Sequence, residues 1–393
     1  MTEESAFAPI EDAVRAIAQG KPVVVVDDES RENEGDIVMA ADKVTPEAVA
    51  FIARHARGLL CAPMEGERLD ELDLPQMVHQ NTEQHRTAFT VSVDYRYGTT
   101  TGISASDRAK TIQALTGEGG NRDVRAGDFA RPGHIFPLRA REGGVLTRAG
   151  HTEAAVDLAR MAGCYPAGAI CEIVNDDGTM MRLPDLIPFS KEHGLLLISI
   201  ADLIAYRRRT EKLVECIETA SFDTRYGLFT AHIYRSLVDD TEHLALVRGD
   251  VRSVDADVLV RVHSASAIDD VFGNLRGPGR SLVDLAIERV AAEEAGVFVY
   301  LRGMEGWGLG LGRKRIYSQD DPDQNDLLSG SDWRQFGTGA QILYDLGLRK
   351  MRILTNNPAR YRGIEGYGLT ITGKEPFTEA AGHEAAAVSS SGD

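Results

Sequence analysis

The sequence has 393 residues, of which 43% are hydrophobic and 26% are charged, a balance typical of globular proteins long enough for two domains. Its formal net charge of −17 argues against nucleic acid or an anionic membrane as the main partner, because both attract clustered positive charge. The apolar runs are too short to span a bilayer, the N-terminus does not resemble a signal peptide, and only four cysteines occur. We therefore expect a cytoplasmic protein.

The first half of the sequence mixes helix and strand patterns. The first predicted elements come from three patterns: apolar residues at helical spacing, a run of four valines, and a Thr-Pro pair that starts a helix. Two later apolar runs flank an Asn-Asp-Asp-Gly turn and predict a hairpin. The predicted elements are a helix over 10–17, strands over 23–26 and 37–40, a helix from 46, a helix over 152–162, and hairpin strands over 169–174 and 179–183. This mixture favours an α+β fold over a doubly wound parallel sheet.

A charged stretch over 207–212 interrupts the apolar periodicity and predicts a domain boundary. We place one domain at residues 1–208, a second at 209–374, and a disordered tail rich in Ala, Ser and Glu at 375–393. Beyond the boundary the predicted elements are strands over 258–262, 297–301 and 351–354 and helices over 281–295 and 337–346. No internal repeat relates the two halves.

The loop at 27–36 is strongly acidic, with six carboxylates in ten residues. Such a loop can simply be solvated at the surface. Here it follows an all-valine strand, and loops at the ends of buried strands often carry functional sites. An oxygen-seeking ion such as Mg²⁺ would supply the missing positive charge.

Three further clusters combine glycine with hydroxyl, Arg or His residues. They are Thr99–Arg108, Arg131–His134 and Arg148–Glu153. The first and third precede predicted helix starts, where backbone N–H groups can hold a phosphate or sugar hydroxyls. A hydroxyl before a helix is more often an ordinary cap, so each cluster is weak alone.

Five segments specifically resemble 3,4-dihydroxy-2-butanone-4-phosphate synthase of riboflavin biosynthesis. They occur in the family's order and cover roughly residues 8–207: DDESRENEGD, NTEQHRTAFTVSVD, TTTGISASDR, RPGHIFPL and GGVLTRAGHTEAAVDL. The resemblance implies a lyase that converts ribulose 5-phosphate to 3,4-dihydroxy-2-butanone 4-phosphate and formate. It also implies a homodimer.

The resemblance implies a role for individual residues. Glu32 and His151 would bind Mg²⁺, with Mn²⁺ as an alternative ion, and His134 and Glu172 would be essential to catalysis. The implied substrate-binding residues are Arg31, Glu32, Asp36, Thr101, Asp107, Arg148, Ala149, Gly150, His151, Thr152 and Glu172. Cys61 matches a further active-site position.

The second half resembles GTP cyclohydrolase II through VLVRVHS, GVFVYLRGMEGWGLGL, GAQILYDLGLRKMRILTNNP and GYGL. That family holds a catalytic zinc with three cysteines, and the matching positions here are Ser266, Gly277 and Gly279. No thiolate remains, so we expect neither zinc nor GTP hydrolysis. Asp332 and Arg334 match the family's acid–base and nucleophile positions. The alternatives are a bifunctional enzyme, or a second half with a regulatory or assembly role.

Overall fold

A computed structural model describes residues 6–29, 31–117, 123–252, 258–265, 270, 281–302, 329–356 and 364–377. The chain divides into two units, Met1–Thr210 and Glu211–Asp393. No helix in the described part of the chain combines the length and the apolar character needed to cross a bilayer.

The first unit is built on a mixed seven-stranded sheet. Its helices are α1 (Ile10–Ala18), α2 (Pro46–His55), α3 (Gly66–Glu71), α4 (Ala105–Leu115), α5 (His151–Met161), α6 (Leu183–His193) and α7 (Ile200–Thr210). Its strands are β1 (Val23–Val26), β2 (Gly35–Ala40), β3 (Cys61–Met64), β4 (Val93–Tyr95), β5 (Phe129–Arg139), β6 (Gly168–Glu172) and β7 (Leu197–Ser199). The strand order is β4-β5-β3-β6-β2-β1-β7; among the described residues, β1–β7 and β3–β5 pair parallel and the other neighbours pair antiparallel. The α+β prediction is confirmed.

Strands β1 and β2 form the centre of this unit and hold the acidic loop between them. Every residue of both strands is buried, which explains why β1 is four consecutive valines rather than an alternating pattern. The two strands pair antiparallel, from Val23 with Val38 to Val26 with Gly35. Helix α5 packs against β2 and β6. The loop and the first turn of α5 therefore start from rigid elements.

Two sequence predictions in this unit need correction. Gly35 and Asp36 belong to β2, so the acidic loop is shorter than predicted. The predicted hairpin after β6 keeps its turn, in which Asn175 N–H donates to the Thr179 carbonyl at 2.7 Å. Its return strand is reduced to one bridge between Val174 and Met180. Leu183 begins α6 instead, because Pro184 suits the first turn of a helix, where its missing N–H needs no partner.

The second unit has its own seven-stranded sheet. Its elements are β8 (Val214–Thr224), β9 (Gly227–Ser236), β10 (Glu242–Arg248), β11 (Val258–Ser264), α8 (Leu282–Ala291), β12 (Gly296–Leu301), α9 (Ser329–Asp345), β13 (Lys350–Leu354) and β14 (Thr370–Glu375). The order is β14-β13-β11-β12-β10-β9-β8. The predicted elements from residue 258 onward each overlap an observed one. Strands β8 to β10 were not predicted.

The second unit extends past the predicted boundary at residue 374. Glu375 closes β14, and its carboxylate pairs with Arg289 at 2.7 Å and with Arg352. Phe377 N–H donates to the Asn356 side chain at 2.8 Å. These contacts fix residues that the sequence assigned to a disordered tail. Residues 378–393, the rest of that tail, lie outside the described residues.

A buried ion pair joins the last helix of the first unit to α5. Arg207 donates to Asp157 at 2.7 Å and to the Gly143 carbonyl at 2.9 Å, and the side chains of Arg207 and Asp157 are 10% and 0% exposed. Arg207→Met should lower the free energy of unfolding by about 3 kcal/mol, because it leaves a buried carboxylate without its main counter-charge. The urea concentration that half-inactivates synthase activity measures this.

Arg160→Met is the matched control. Arg160 pairs with the same carboxylate at 3.0 Å, but its side chain is 47% exposed. We expect a loss below about 1 kcal/mol for this variant. Equal losses in both variants would contradict the role assigned to burial.

Candidate active site

The acidic loop is folded around Asp27 rather than extended into solvent. The Asp27 side chain is buried and accepts from Glu32 N–H at 3.0 Å, from Glu34 N–H at 2.8 Å and from the Arg31 guanidinium at 3.0 Å. Arg182, at the start of α6, donates to the Glu32 carbonyl at 2.6 Å and to the Asn33 carbonyl. The loop is therefore held from both sides, and the position of Glu32 is fixed.

Glu32 and His151 meet at the loop end of the β1–β2 hairpin. Glu32 Oε2 lies 3.6 Å from His151 Nδ1, and ligand atoms of Asp27, Glu32 and His151 all lie within 4.8 Å of one another. His151 Nε2 is 3.1 Å from the Val25 carbonyl, which can only accept. Nε2 therefore carries a hydrogen, and in neutral His151 the lone pair is on Nδ1, toward Glu32.

Asp36 adds a buried carboxylate beside this pair. Its Oδ1 lies 4.0 Å from His151 Nδ1 and has no hydrogen-bond partner among the described residues. Burial raises the pKa of Asp36 despite the opposing charge of His151. An orphaned carboxylate oxygen beside Glu32, and an imidazole whose neutral form turns its Nδ1 lone pair toward them, suit a divalent cation that prefers oxygen ligands.

The charges of this cluster shift the other two groups as well. Burial opposes ionisation of Glu32, but His151 and Arg31 outweigh it and lower its pKa to about 2. Arg31 lies 2.9 Å from Glu32 Oε2. Burial alone would lower the pKa of His151, yet the negative charges of Asp36 and Glu32 raise it overall. Glu32 is thus ionised and prepared to bind a cation.

The segment Arg148–Thr152 leads into α5. Gly150 is the extended residue before the helix, and His151 and Thr152 are buried in its first turn. Arg148 donates to Glu153 at 2.7 Å and to the His85 carbonyl and Thr87 hydroxyl at 3.2 Å each. A Cβ at Gly150 would lie 2.3 Å from the Arg148 guanidinium. The backbone N–H groups of a helix start and an ordered guanidinium are therefore adjacent, as an anion site requires.

Glu172 ends β6 directly opposite Asp36 in the sheet ladder. Its Oε2 accepts from Leu59 N–H at 2.8 Å, and its backbone carbonyl accepts from Gly58 N–H at 3.1 Å. Cys61 lies buried in β3, and burial with the neighbouring charge of Glu172 raises the pKa of its thiol. The ladder thus brings Glu172 to the same end of the sheet as Asp36.

His134 and Asp107 form a second group around Gly102. Asp107, at the start of α4, accepts from Thr100 N–H and Gly102 N–H at 3.1 Å each and from the Thr100 hydroxyl at 2.7 Å. The pKa of Asp107 is lowered, mainly because its carboxylate accepts the hydrogen bond from the Thr100 hydroxyl. His134, on β5, contacts Asp94. Asp107 therefore shapes the loop, while the neighbouring Thr101 is exposed.

Sequence reasoning missed three residues of these clusters. The sequence marks Asp27 only as one residue of an acidic run. Its side chain is buried because of the geometry of the hairpin, which the sequence does not reveal. Arg182 and Asp94 act across long sequence separations, and no local pattern marks them. In the second unit, Ser266, Gly277 and Gly279 lie outside the described residues. Asp332 and Arg334 fall within α9, but their side chains are also outside the described part.

Both units match known families. Residues 11–206 match 3,4-dihydroxy-2-butanone 4-phosphate synthase, and residues 215–376 match GTP cyclohydrolase II. The riboflavin biosynthesis protein RibBA of Salinispora arenicola is 55% identical over 377 residues, covering 94% of this chain and 88% of that protein. The fold and site define a sugar-phosphate lyase joined to a second catalytic fold. The chain belongs to the family that fuses a 3,4-dihydroxy-2-butanone 4-phosphate synthase domain to a GTP cyclohydrolase II domain.

Two solved structures are similar. RibBX of A. baumannii, described as a two-domain 3,4-dihydroxy-2-butanone 4-phosphate synthase, has a TM-score of 0.73 and 40% identity, covering 94% of this chain and 99% of that one. A synthase in complex with two magnesium ions has a TM-score of 0.50 and 46% identity, covering 52% of this chain and 98% of that one. The chain is accordingly a 3,4-dihydroxy-2-butanone 4-phosphate synthase of riboflavin biosynthesis, a lyase that releases formate.

Two relatives from Arabidopsis thaliana differ in their named function at equal identity. RIBA 1, named bifunctional, is 52% identical and covers 94% of this chain, with 69% of its own length matched. RIBA 2, named monofunctional, is also 52% identical over 94% of this chain, with 77% of its own length matched. Overall identity therefore does not decide whether the second unit is active.

The geometry predicts which side chains hold the metal. Glu32→Gln and His151→Asn should each weaken Mg²⁺ binding by more than ~10-fold, because each removes a ligand atom from the cluster. Isothermal titration of the purified chain measures the affinity. Glu29→Gln is the control for Glu32→Gln, since Glu29 is an exposed carboxylate of the same loop and both substitutions remove one negative charge. If Glu29→Gln lost as much affinity, Mg²⁺ would be attracted by the charge of the whole loop rather than bound by particular ligands.

Proposed function

We propose that Glu32 and His151 bind Mg²⁺ and that ribulose 5-phosphate is converted beside them. The observation that carries the proposal is the cluster of Glu32 and His151, 3.6 Å apart, with the orphaned oxygen of Asp36 next to it. When bound, the ion would stabilise negative charge on the oxygens of the sugar. The residues of the chain bind the phosphate, orient the sugar and move its protons.

His134 and Glu172 are proposed as the groups that move protons. The reaction removes a proton next to a carbonyl, loses water, rearranges the carbon skeleton and expels formate, so several transfers are needed on one sugar. An imidazole and a carboxylate are suitable carriers. Glu172 is held by two backbone N–H groups, and His134 is held by Asp94. Both side chains therefore have a fixed place in the folded protein.

The phosphate of the substrate is proposed to bind at the segment Arg148–Thr152. The start of α5 offers backbone N–H groups, and Arg148 offers a guanidinium held by Glu153 and Thr87. Arg31, Asp36, Thr101 and Asp107 complete the proposed substrate site. In this arrangement the phosphate is gripped at the helix start while the sugar carbons stay near Glu32.

Formate release should depend on the metal. Excess chelator should abolish formate production from ribulose 5-phosphate, and added Mg²⁺ should restore it, because the charge of the acidic cluster otherwise opposes an anionic sugar. The test is an enzymatic formate assay on the intact chain. Full turnover in excess chelator would refute the metal assignment while leaving the synthase activity established.

For the second unit we propose a retained fold without GTP cyclohydrolase II activity. Three positions that would carry zinc thiolates are Ser266, Gly277 and Gly279, and glycine offers no side-chain ligand. The remaining cysteines cannot easily replace them. Cys61, Cys164 and Cys171 belong to the first unit, and Cys216 lies on β8 beside His232. The similar two-domain protein of A. baumannii supports this proposal, because it is named for the synthase activity alone.

The intact chain should not turn over GTP, even with Zn²⁺ and Mg²⁺ supplied. No zinc-activated water would be available to attack the purine ring. Pyrophosphate and formate release from GTP measure this directly, and the zinc content of the purified protein measures the site. Sustained GTP turnover that disappears in Arg334→Ala would show that the enzyme is bifunctional.

The homodimer implied by the family resemblance and the cytoplasmic location expected from the sequence stay predictions. Sedimentation velocity on the intact chain measures the first, and fractionation of cells that express it measures the second. If deleting residues 211–393 changes the oligomer size or the synthase activity, the second unit has an assembly or regulatory role.

A further inference from the structure

Arg182 lies immediately before α6 and reaches across to the acidic loop. Its Nη1 donates to the Glu32 carbonyl at 2.6 Å and also to the Asn33 carbonyl. The sequence separation between Arg182 and Glu32 is 150 residues. A single nitrogen from a distant helix start therefore holds two consecutive carbonyl groups of the loop.

The main chain of Glu32 is held on both sides. Its N–H donates to the buried Asp27 carboxylate at 3.0 Å, and its carbonyl accepts from Arg182. Asn33 has φ +55°, in the left-handed region that glycine and asparagine tolerate best, and the two carbonyls at this turn reach the same donor. The backbone that carries the Glu32 side chain is thus fixed by one contact on each side.

The start of α6 is itself docked against the end of the loop. Leu186 lies one helical turn after Arg182, so the two side chains share a face of the helix. A Cβ at Gly35 would lie 2.5 Å from Leu186 Cδ1, so the absence of a side chain lets Leu186 pack closely there. The Arg182 carbonyl accepts from Asp185 N–H at 2.8 Å, whereas its side chain caps nothing in α6. Loss of the guanidinium therefore leaves the helix start intact.

A guanidinium beside an acidic metal site can act in two ways, with opposite effects on the affinity for a cation. Arg182 Nη1 lies 3.8 Å from Glu34 Oε1, and as a counter-charge it would repel an incoming cation. As a positioning group it would hold Glu32 where its carboxylate can bind the ion. Loss of Arg182 strengthens Mg²⁺ binding in the first case and weakens it in the second.

The contacts favour positioning. Both hydrogen bonds of Arg182 Nη1 go to neutral carbonyls, and the carboxylate of Glu34 is farther away. The Arg182 side chain is 42% exposed, so water and salt screen its charge. We propose that Arg182 is a positioning residue that fixes the backbone of Glu32 for metal binding. The inference rests on the role proposed above for Glu32 as an Mg²⁺ ligand.

The test removes the guanidinium in Arg182→Met. We expect the Mg²⁺ affinity of the intact chain, measured by isothermal titration, to fall by at least ~10-fold, as is typical when a group that orients a metal ligand is lost. In the metal-free protein, the Glu32 and Glu34 amides, which donate to Asp27, should exchange hydrogen at least ~10-fold faster. A counter-charge role predicts tighter Mg²⁺ binding instead.

Two variants sharpen the comparison. Arg182→Lys keeps the charge and a donor nitrogen on a flexible chain, and it should recover part of the lost affinity. Arg57→Met is the matched control, because the Arg57 side chain is also 42% exposed and its loss removes the same charge. The partners of Arg57 among the described residues are Arg54, Val174 and Asp176, all outside the acidic loop. We expect wild-type Mg²⁺ affinity in Arg57→Met.

The outcomes separate this inference from the proposal on which it rests. If Glu32→Gln weakens Mg²⁺ binding while Arg182→Met leaves it unchanged or strengthens it, only the role of Arg182 is wrong. If Glu32→Gln keeps the wild-type affinity, Glu32 is not a ligand and the inference fails with it. An equal loss in Arg57→Met would also overturn it. Should Arg182→Met not fold, the sign of the affinity change in Arg182→Gln decides, because glutamine is uncharged and shorter than arginine.

Discussion

The crowding of negative charge at the loop end of the β1–β2 hairpin is the constraint on which the first unit depends. Six carboxylates occur in the ten residues from Asp27 to Asp36, and the side chains of Asp27 and Asp36 are buried. Buried carboxylates repel each other and lose hydration, so the fold must supply positive charge nearby. It does so from three directions, with Arg31 within the loop, Arg182 at the start of α6 and His151 at the start of α5.

This balance explains why the sheet has its particular order. Strand β2 lies between β1 and β6, so the acidic loop, Asp36 and Glu172 emerge at the same end. Helix α5 packs on β2 and β6, which places its first turn beside that end. The partial positive charge of the helix start and the imidazole of His151 thus meet the carboxylates. A cation that binds the folded site but not the unfolded chain would also stabilise the unit.

Much of the first unit could be predicted from local patterns. The valine run, the Thr45 cap, which accepts from Ala48 N–H, and the helix at Thr152 each carry a signal within a few residues. The contacts that complete the site could not be predicted in this way. Asp94 and His134 are forty residues apart, and Arg182 reaches the acidic loop across 150. Strand β8 was missed because it is largely exposed and lacks a continuous apolar pattern.

The described part of the second unit is held together by apolar packing. Its core is apolar and continuous, with Val260, Val299 and Leu343 among its buried residues, and none of these is a metal ligand. Around that core a polar contact survives as well: Asp270 accepts from the Tyr300 hydroxyl at 2.8 Å and lies 2.9 Å from His263 Nε2. The sheet therefore owes its stability to burial and to internal hydrogen bonds. The proposed loss of zinc thiolates would therefore remove a catalytic site and leave the packing of this core in place.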